Sequence, residues 1–242
     1  MDRMPIVDRM PGDGYGEIFN PGQEHLPCAI LLDVSGSMVV DGAIRQLEQG
    51  LIELRDALQS DDHCLNTVDT TIITFSDGVT ITDQFKSCSE MQLPRLEADG
   101  CTAMYSAVNT ALDEIAERKR QYRADGGTSK RGWIFLLTDG LATDDEFRDV
   151  VLKKLADAEN RGSVTFFAVA IGNSADRDEL AAMSQSKVCL TASRESFKSC
   201  FKWLSASVSA ASVTSSGSKI MLPDVTLATD GQIGIYQGRG GR

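Results

Sequence analysis

"CAILLDVSGSM" (residues 28–38) joins a continuous apolar run to an aspartate and two serines at alternate positions. The apolar part has the length of a strand. An unbroken run, rather than an alternating one, marks a strand covered on both faces. Asp33, Ser35 and Ser37 then put three oxygen-bearing side chains on the turn that ends it, and Gly36 gives the backbone room to fold back. A helix cap needs one such residue, not three. The pattern asks for a cation or for catalysis, and the rest of the chain has to choose.

Outward from this strand, apolar runs alternate with amphipathic segments. Ile44, Leu47, Leu51, Leu54 and Leu58 recur at helical spacing over residues 43–59. "VDTTIITFSDGVTITDQF" (68–85) sets β-branched runs on either side of Asp77-Gly78, a strong hairpin signal, and predicts one antiparallel strand at a sheet edge. A helix over 103–120 carries Ala107, Val108, Ala111, Leu112 and Ile115 on its apolar face. "WIFLLTDG" (133–140) reads as a second buried strand, followed by a helix near 145–160. "VTFFAVAIG" (164–172) is a third, followed by a short helix near 176–185 and the strand "KVCLT" (187–191). A last helix, 194–211, has Phe197, Phe201, Leu204 and Val208 in one stripe, with Trp203 beside them. This alternation predicts right-handed crossovers and a doubly wound α/β fold. Its open sheet is mostly parallel, with one antiparallel edge strand and helices on both faces. Residues 1–25 read as an extended or partly disordered leader, 26–212 as one domain, and 213–242 as a Ser/Gly-rich linker and mobile tail ending in "QGRGGR".

A net charge of −11 argues against a general nucleic-acid binder, because phosphate binding depends on lysine and arginine. The first residues lack the apolar core of a signal peptide, and the most apolar runs are too short to span a bilayer, so no membrane partner is expected. The six cysteines (28, 64, 88, 101, 189 and 200) form no C-x-x-C pair, which favours reduced thiols and a cytoplasmic protein. The basic cluster "ERKRQYR" (117–123), with Lys130 and Arg131, reads as cations closing a helix. Asp144 and Asp145 read as first-turn residues of the helix that follows them.

In open α/β sheets, ligands sit beyond the carboxyl ends of the strands where strand order reverses. Asp33 and Asp139 end two such strands. If those strands are neighbours whose crossovers leave in opposite directions, both carboxylates face one crevice. Two carboxylates and several hydroxyls form a hard oxygen set that suits Mg2+, or Mn2+ and Ca2+. With no His or Cys near, the set does not suit zinc.

D-x-S-x-S after a buried strand, a threonine on a second loop and an aspartate ending a later strand resemble the metal-ion-dependent adhesion site (MIDAS) of von Willebrand factor A domains. Asp33, Ser35 and Ser37 match the first element, Thr102 in "ADGCTAMYSAV" the second, and Asp139 in "LLTDG" the third. The resemblance implies a Rossmann-like fold. It also implies an ion held by Asp33, Ser35, Ser37, Thr102 and Asp139, directly or through water, with an open position for an acidic side chain of a partner protein. The family often has Gly-Gly before that threonine. Here the pair is Gly100-Cys101, and a cysteine disfavours positive φ. "LPCAILLDVSGSM", "LLTDGLATD" and "FKSCFKWLSASVSAAS" look most like intracellular bacterial members associated with tellurite resistance. Those resemble stress-signalling adaptors that work beside a protein kinase and a phosphatase.

Two other readings compete. A phosphatase of the haloacid-dehalogenase type would use Asp33 as nucleophile but needs a second acid two residues on, where this chain has Ser35. The S-x-x-K runs at 184–187 and 216–219 lack a K-T-G partner, "GDGYG" (12–16) follows no strand, and His25 and His63 are isolated. No enzyme activity is expected. The third reading is a metal-free structural scaffold.

Overall fold

The structure, a computed structural model, describes residues 4, 6–10, 14–215, 218 and 220–238. The first half of the chain forms β1 (Val7–Arg9), β2 (Glu24–Asp33), α1 (Ala43–Gln59), α2 (Asp62–Thr67), β3 (Val68–Phe75), β4 (Val79–Ser87) and α3 (Met104–Ala124). After α3 come β5 (Thr128–Ser129), β6 (Gly132–Thr138), α4 (Arg148–Asn160), β7 (Val164–Ile171) and α5 (Arg177–Met183). The chain closes with β8 (Val188–Ala192), α6 (Phe197–Val213), α7 (Val225–Ala228) and β9 (Ile233–Gln237).

The strands form one sheet in the order β1-β4-β3-β2-β6-β7-β8-β9, with β5 also paired to β2. β2 lies at its centre, parallel to both β3 and β6. Its unbroken apolar run follows from that place. Cys28, Ile30 and Leu32 pack with α1 and α6 on one face, while Ala29 and Leu31 pack with α3, α4 and α5 on the other. The Phe197 stripe is core: Phe197, Phe201 and Leu204 are fully buried, and Trp203 packs among Phe135 and Phe167.

The expected hairpin is β3–β4, antiparallel around Asp77-Gly78. The sheet, however, continues past it. β1, from the stretch read as a leader, pairs parallel with β4, Val7 opposite Val79. β9, from the stretch read as a tail, adds a second antiparallel pair on β8. Both are half-exposed edge strands, so neither carries the continuous apolar run that marks an interior strand. Parts of "GDGYG", of the 216–219 run and of the terminal "QGRGGR" lie outside the described residues.

The basic cluster is mostly occupied with internal bonds. Arg118 is buried and donates through Nε to Asp69 Oδ2 at 2.8 Å and through Nη1 to the Gly16 carbonyl at 2.8 Å. Burial lowers the Lys119 ammonium to about 8, and it donates to the Ser163 carbonyl. Lys130 Nζ donates to the carbonyls of Ala211, Ser212 and Thr214, which caps the carboxyl end of α6. No helix among the described residues is long and apolar enough to cross a membrane. All six cysteines are free, and only Cys101 is exposed.

α1 and α6 touch at Gly50, where a Cβ would lie 2.3 Å from the buried Phe201 ring. At an exposed helix position Gly→Ala gains about 1 kcal/mol. Here the closed contact should reverse the sign, so Gly50→Ala is expected to lower stability in urea unfolding by about 1–3 kcal/mol. A gain would show that the two helices do not meet there.

Candidate metal centre

Asp33 is the last residue of β2, and Asp139 follows the last residue of β6. The two strands are neighbours, with Leu32 opposite Leu137. The chain leaves β2 through α1 on one face of the sheet and enters β6 from α3 on the other. Strand order therefore reverses between β2 and β6, and the crevice this leaves lies at their carboxyl ends.

A chain of short contacts joins the side chains there. Asp33 Oδ1 accepts from the Ser35 amide at 2.8 Å, and Asp33 Oδ2 accepts from Thr138 Oγ1 at 2.5 Å. Ser35 Oγ and Ser37 Oγ lie 3.0 Å apart, and Ser37 Oγ donates to Asp139 Oδ1 at 2.5 Å. The other oxygen of Asp139 accepts from Arg194 Nη2 at 2.7 Å. Thr102 enters from the third segment, above Gly140. A Cβ on Gly140 would lie 3.2 Å from Thr102 Oγ1 and 3.8 Å from both Asp33 Oδ2 and Ser37 Oγ. The missing side chain of Gly140 thus leaves a small space edged by oxygens of Thr102, Asp33 and Ser37, from two distant segments. Ser35 and Asp139, the other two residues singled out from the sequence, join this group through their contacts with Ser37 Oγ.

Backbone bonds hold the Thr102 loop in place. The Gly36 amide donates to the Gly100 carbonyl at 3.0 Å, Asp99 N to the Val34 carbonyl at 2.9 Å, and Ala103 N to the Ser76 carbonyl at 2.8 Å. Asp77, the hairpin turn residue, accepts from the Cys101 amide at 2.6 Å. The left-handed position is Gly100, at φ +78, so Cys101 replaces the family's second small residue without strain.

Asp144 corrects its sequence reading. Instead of serving the helix after it, this buried carboxylate caps α3, accepting from Tyr105 N at 3.2 Å, Ser106 N at 2.8 Å and Ser106 Oγ at 2.7 Å. Beside it, Thr143 Oγ1 accepts from Thr102 N at 3.0 Å. The loop carrying Asp139 and the helix headed by Thr102 are thereby locked together. Asp145 is exposed and opens the turn into α4.

Asp33 and Asp139 are both fully buried. Burial pushes the Asp33 carboxyl above its ordinary value and the nearby Asp139 charge adds to this, while hydrogen bonds from Ser35 and Thr138 oppose it. Two buried carboxylates side by side require positive charge. Arg194 supplies one unit, so the oxygen set fits a small cation. Among the described residues no group of three or more His, Cys, Asp or Glu is placed to hold a metal. This donor set has two carboxylates and three hydroxyls instead.

Other candidates from the sequence lie elsewhere. His25 stacks on Tyr122 at the far end of β2, and His63 contacts the Ser212 carbonyl. Ser184 and Lys187 bond to backbone carbonyls around the α5–β8 turn. Thr138, Thr143, Asp144 and Arg194 were not legible as site residues, because each acts on a partner far along the chain.

Asp144→Ala is expected to cost about 1–2 kcal/mol, the usual penalty for a lost helix cap, in denaturant unfolding. A neutral result would mean that α3 does not depend on this carboxylate.

Solved structures resemble this fold at low identity. A von Willebrand factor type A protein from Catenulispora acidiphila superposes with a TM-score of 0.58 at 16% identity, over 77% of this chain and 43% of that one. The pilus adhesin SpaC from Lactobacillus rhamnosus GG, in its open conformation, gives 0.61 at 15% identity, over 81% and 31%. Proximal thread matrix protein 1 of the mussel byssus, with a zinc-occupied MIDAS motif, gives 0.53 at 19% identity, over 76% and 48%. The chain spans less than half the length of each, and the likeness is one of fold. Comparison with curated proteins gives no match. The model of the von Willebrand factor type A domain matches residues 29–203, well over half of the 242, and the chain belongs to that family.

Proposed function

We propose that this chain is a divalent-cation-dependent protein-interaction module whose ion is held by Asp33, Ser35, Ser37, Thr102 and Asp139. The observation that carries the reading is the space above Gly140, edged by oxygens of Asp33, Ser37 and Thr102, with Asp139 joined to it through Ser37. When bound, the ion supplies a Lewis-acidic position that a partner's carboxylate can fill. The chain's own residues do the rest. Ser35, Ser37 and Thr102 present neutral oxygens, and Asp33 and Asp139 present charge without surrounding the ion with it. The main-chain bonds from Gly36 to Gly100 and from Asp99 to Val34 hold the loops at fixed spacing.

The oxygen donors favour Mg2+, with Mn2+ and Ca2+ as alternatives. The mussel protein carries zinc in its MIDAS motif, so zinc belongs in the same titration series. The partner is a protein offering an aspartate or glutamate. The likeness of "LPCAILLDVSGSM", "LLTDGLATD" and "FKSCFKWLSASVSAAS" to tellurite-resistance members supports a cytoplasmic stress-signalling adaptor, working with a protein kinase and a phosphatase. Six free cysteines, five of them buried, agree with a reducing compartment. A hydrolytic role is disfavoured because the position for a general acid is Ser35, whose hydroxyl faces Ser37.

Calorimetric titration with Mg2+ and Mn2+ tests the reading. Wild type should bind one ion, and Asp33→Ala should weaken binding by at least about tenfold, the loss of one charged ligand. No binding by wild type, or equal binding by the variant, would remove the proposal. Turnover of an aryl phosphate that is abolished by chelator would replace it with the phosphatase reading.

A further inference from the structure

We propose that Arg194 is a tethered counter-cation that competes with the divalent ion for Asp139 and so sets the affinity of the site. The inference rests on the metal-binding reading above and assigns to that site a residue outside its five oxygen donors.

Arg194 comes from the turn Arg194–Ser196 that leads into α6, far in sequence from every other member of the site. Its Nη2 lies 2.7 Å from Asp139 Oδ2, and its Nη1 lies 3.7 Å from Asp41 Oδ2. Asp139 is fully buried, whereas the Arg194 side chain keeps 20% of its exposure and Asp41 keeps 70%. The guanidinium therefore bridges a buried carboxylate and a surface one.

Both oxygens of Asp139 are taken, Oδ1 by Ser37 and Oδ2 by Arg194. These two partners respond differently to an incoming cation. A serine hydroxyl rotates and offers a lone pair to the ion. A guanidinium has donors only and carries a positive charge, so it opposes the ion as a like charge. Of the groups on Asp139, Arg194 alone must yield or repel.

The arginine is placed to yield. Among the described residues its Nε is buried without a hydrogen-bond partner, so the present pose leaves one donor unsatisfied. It borders a polar cleft of about 600 Å³, also lined by Asp41, Arg177, Ser193 and Gln232. A guanidinium leaving Asp139 can swing into that cleft and stay beside the exposed Asp41 carboxylate.

The test is a titration of Mn2+ into wild type, Arg194→Met and Arg194→Lys, read by calorimetry and by thermal unfolding with and without the ion. Arg194→Met should bind Mn2+ tighter by roughly tenfold or more, because a like charge close to the ion is gone. Its ion-free form should melt lower than wild type, since Asp139 is then buried without its partner, and Mn2+ should raise its melting temperature further than it raises that of wild type. Arg194→Lys, which keeps the charge, should stay near wild-type affinity. Arg194→Gln gives the same readout should the Met variant fail to fold. Equal or weaker binding by the neutral variants, with wild type binding normally, overturns the role of Arg194 and leaves the metal site standing. Absence of binding by wild type overturns the metal site itself, and this inference with it.

Discussion

The structure depends on placing two buried carboxylates side by side at the point where the sheet changes direction. Asp33 and Asp139 end adjacent parallel strands, and neither reaches solvent. Such a pair is unfavourable alone: burial and the Asp139 charge both oppose ionisation of Asp33. Each neighbouring feature answers that cost. The Ser35 amide and the Thr138 hydroxyl donate to Asp33, while Ser37 and Arg194 donate to Asp139. These donors are few, and one of them is a cation reaching in from outside the crevice. A site arranged this way gains from a compact positive charge at its centre.

Geometry of this kind needs rigid loops, and the chain builds them from main-chain bonds joined by the side chains of Asp77, Thr143 and Asp144. The turn after β2 is tied to the loop before α3 at two points, Gly36 to Gly100 and Asp99 to Val34. The same loop is tied to the β3–β4 hairpin through Ala103 to Ser76 and Cys101 to Asp77. Thr143 and Asp144 close the circuit by holding the start of α3 against the loop after β6. Three segments far apart in sequence thus behave as one cradle, and Thr102 and Asp33 border the same space beside Gly140 although about seventy residues separate them.

Much of this was legible in the residues. A strand buried on both faces must be apolar throughout, so β2, β6 and β7 announce themselves, and the leucine spacing of α1 places it against them. Asp33 and Asp139 then follow from the rule about strand ends. Thr102 had no signal of its own and was found through the company it keeps in a family motif. The edge strands β1 and β9 were missed because half-exposed strands of three and five residues lack an apolar run. The six-residue α2 was missed for its shortness, although Asp61 caps it by accepting from the His63 and Cys64 amides. Asp144 and Arg194 were unreadable for a different reason. Each acts through a long-range contact that local spacing cannot encode, and local rules assigned Asp144 to the wrong helix.

The central claim concerns where a cation sits. A crystal of the protein grown with Mn2+, with data collected at the manganese absorption edge, addresses it directly. The account expects one strong anomalous peak above Gly140, within coordination range of oxygens from Asp33, Ser35, Ser37, Thr102 or Asp139. Saturating Mn2+ with no peak in that crevice, or a peak only at surface carboxylates, would contradict it.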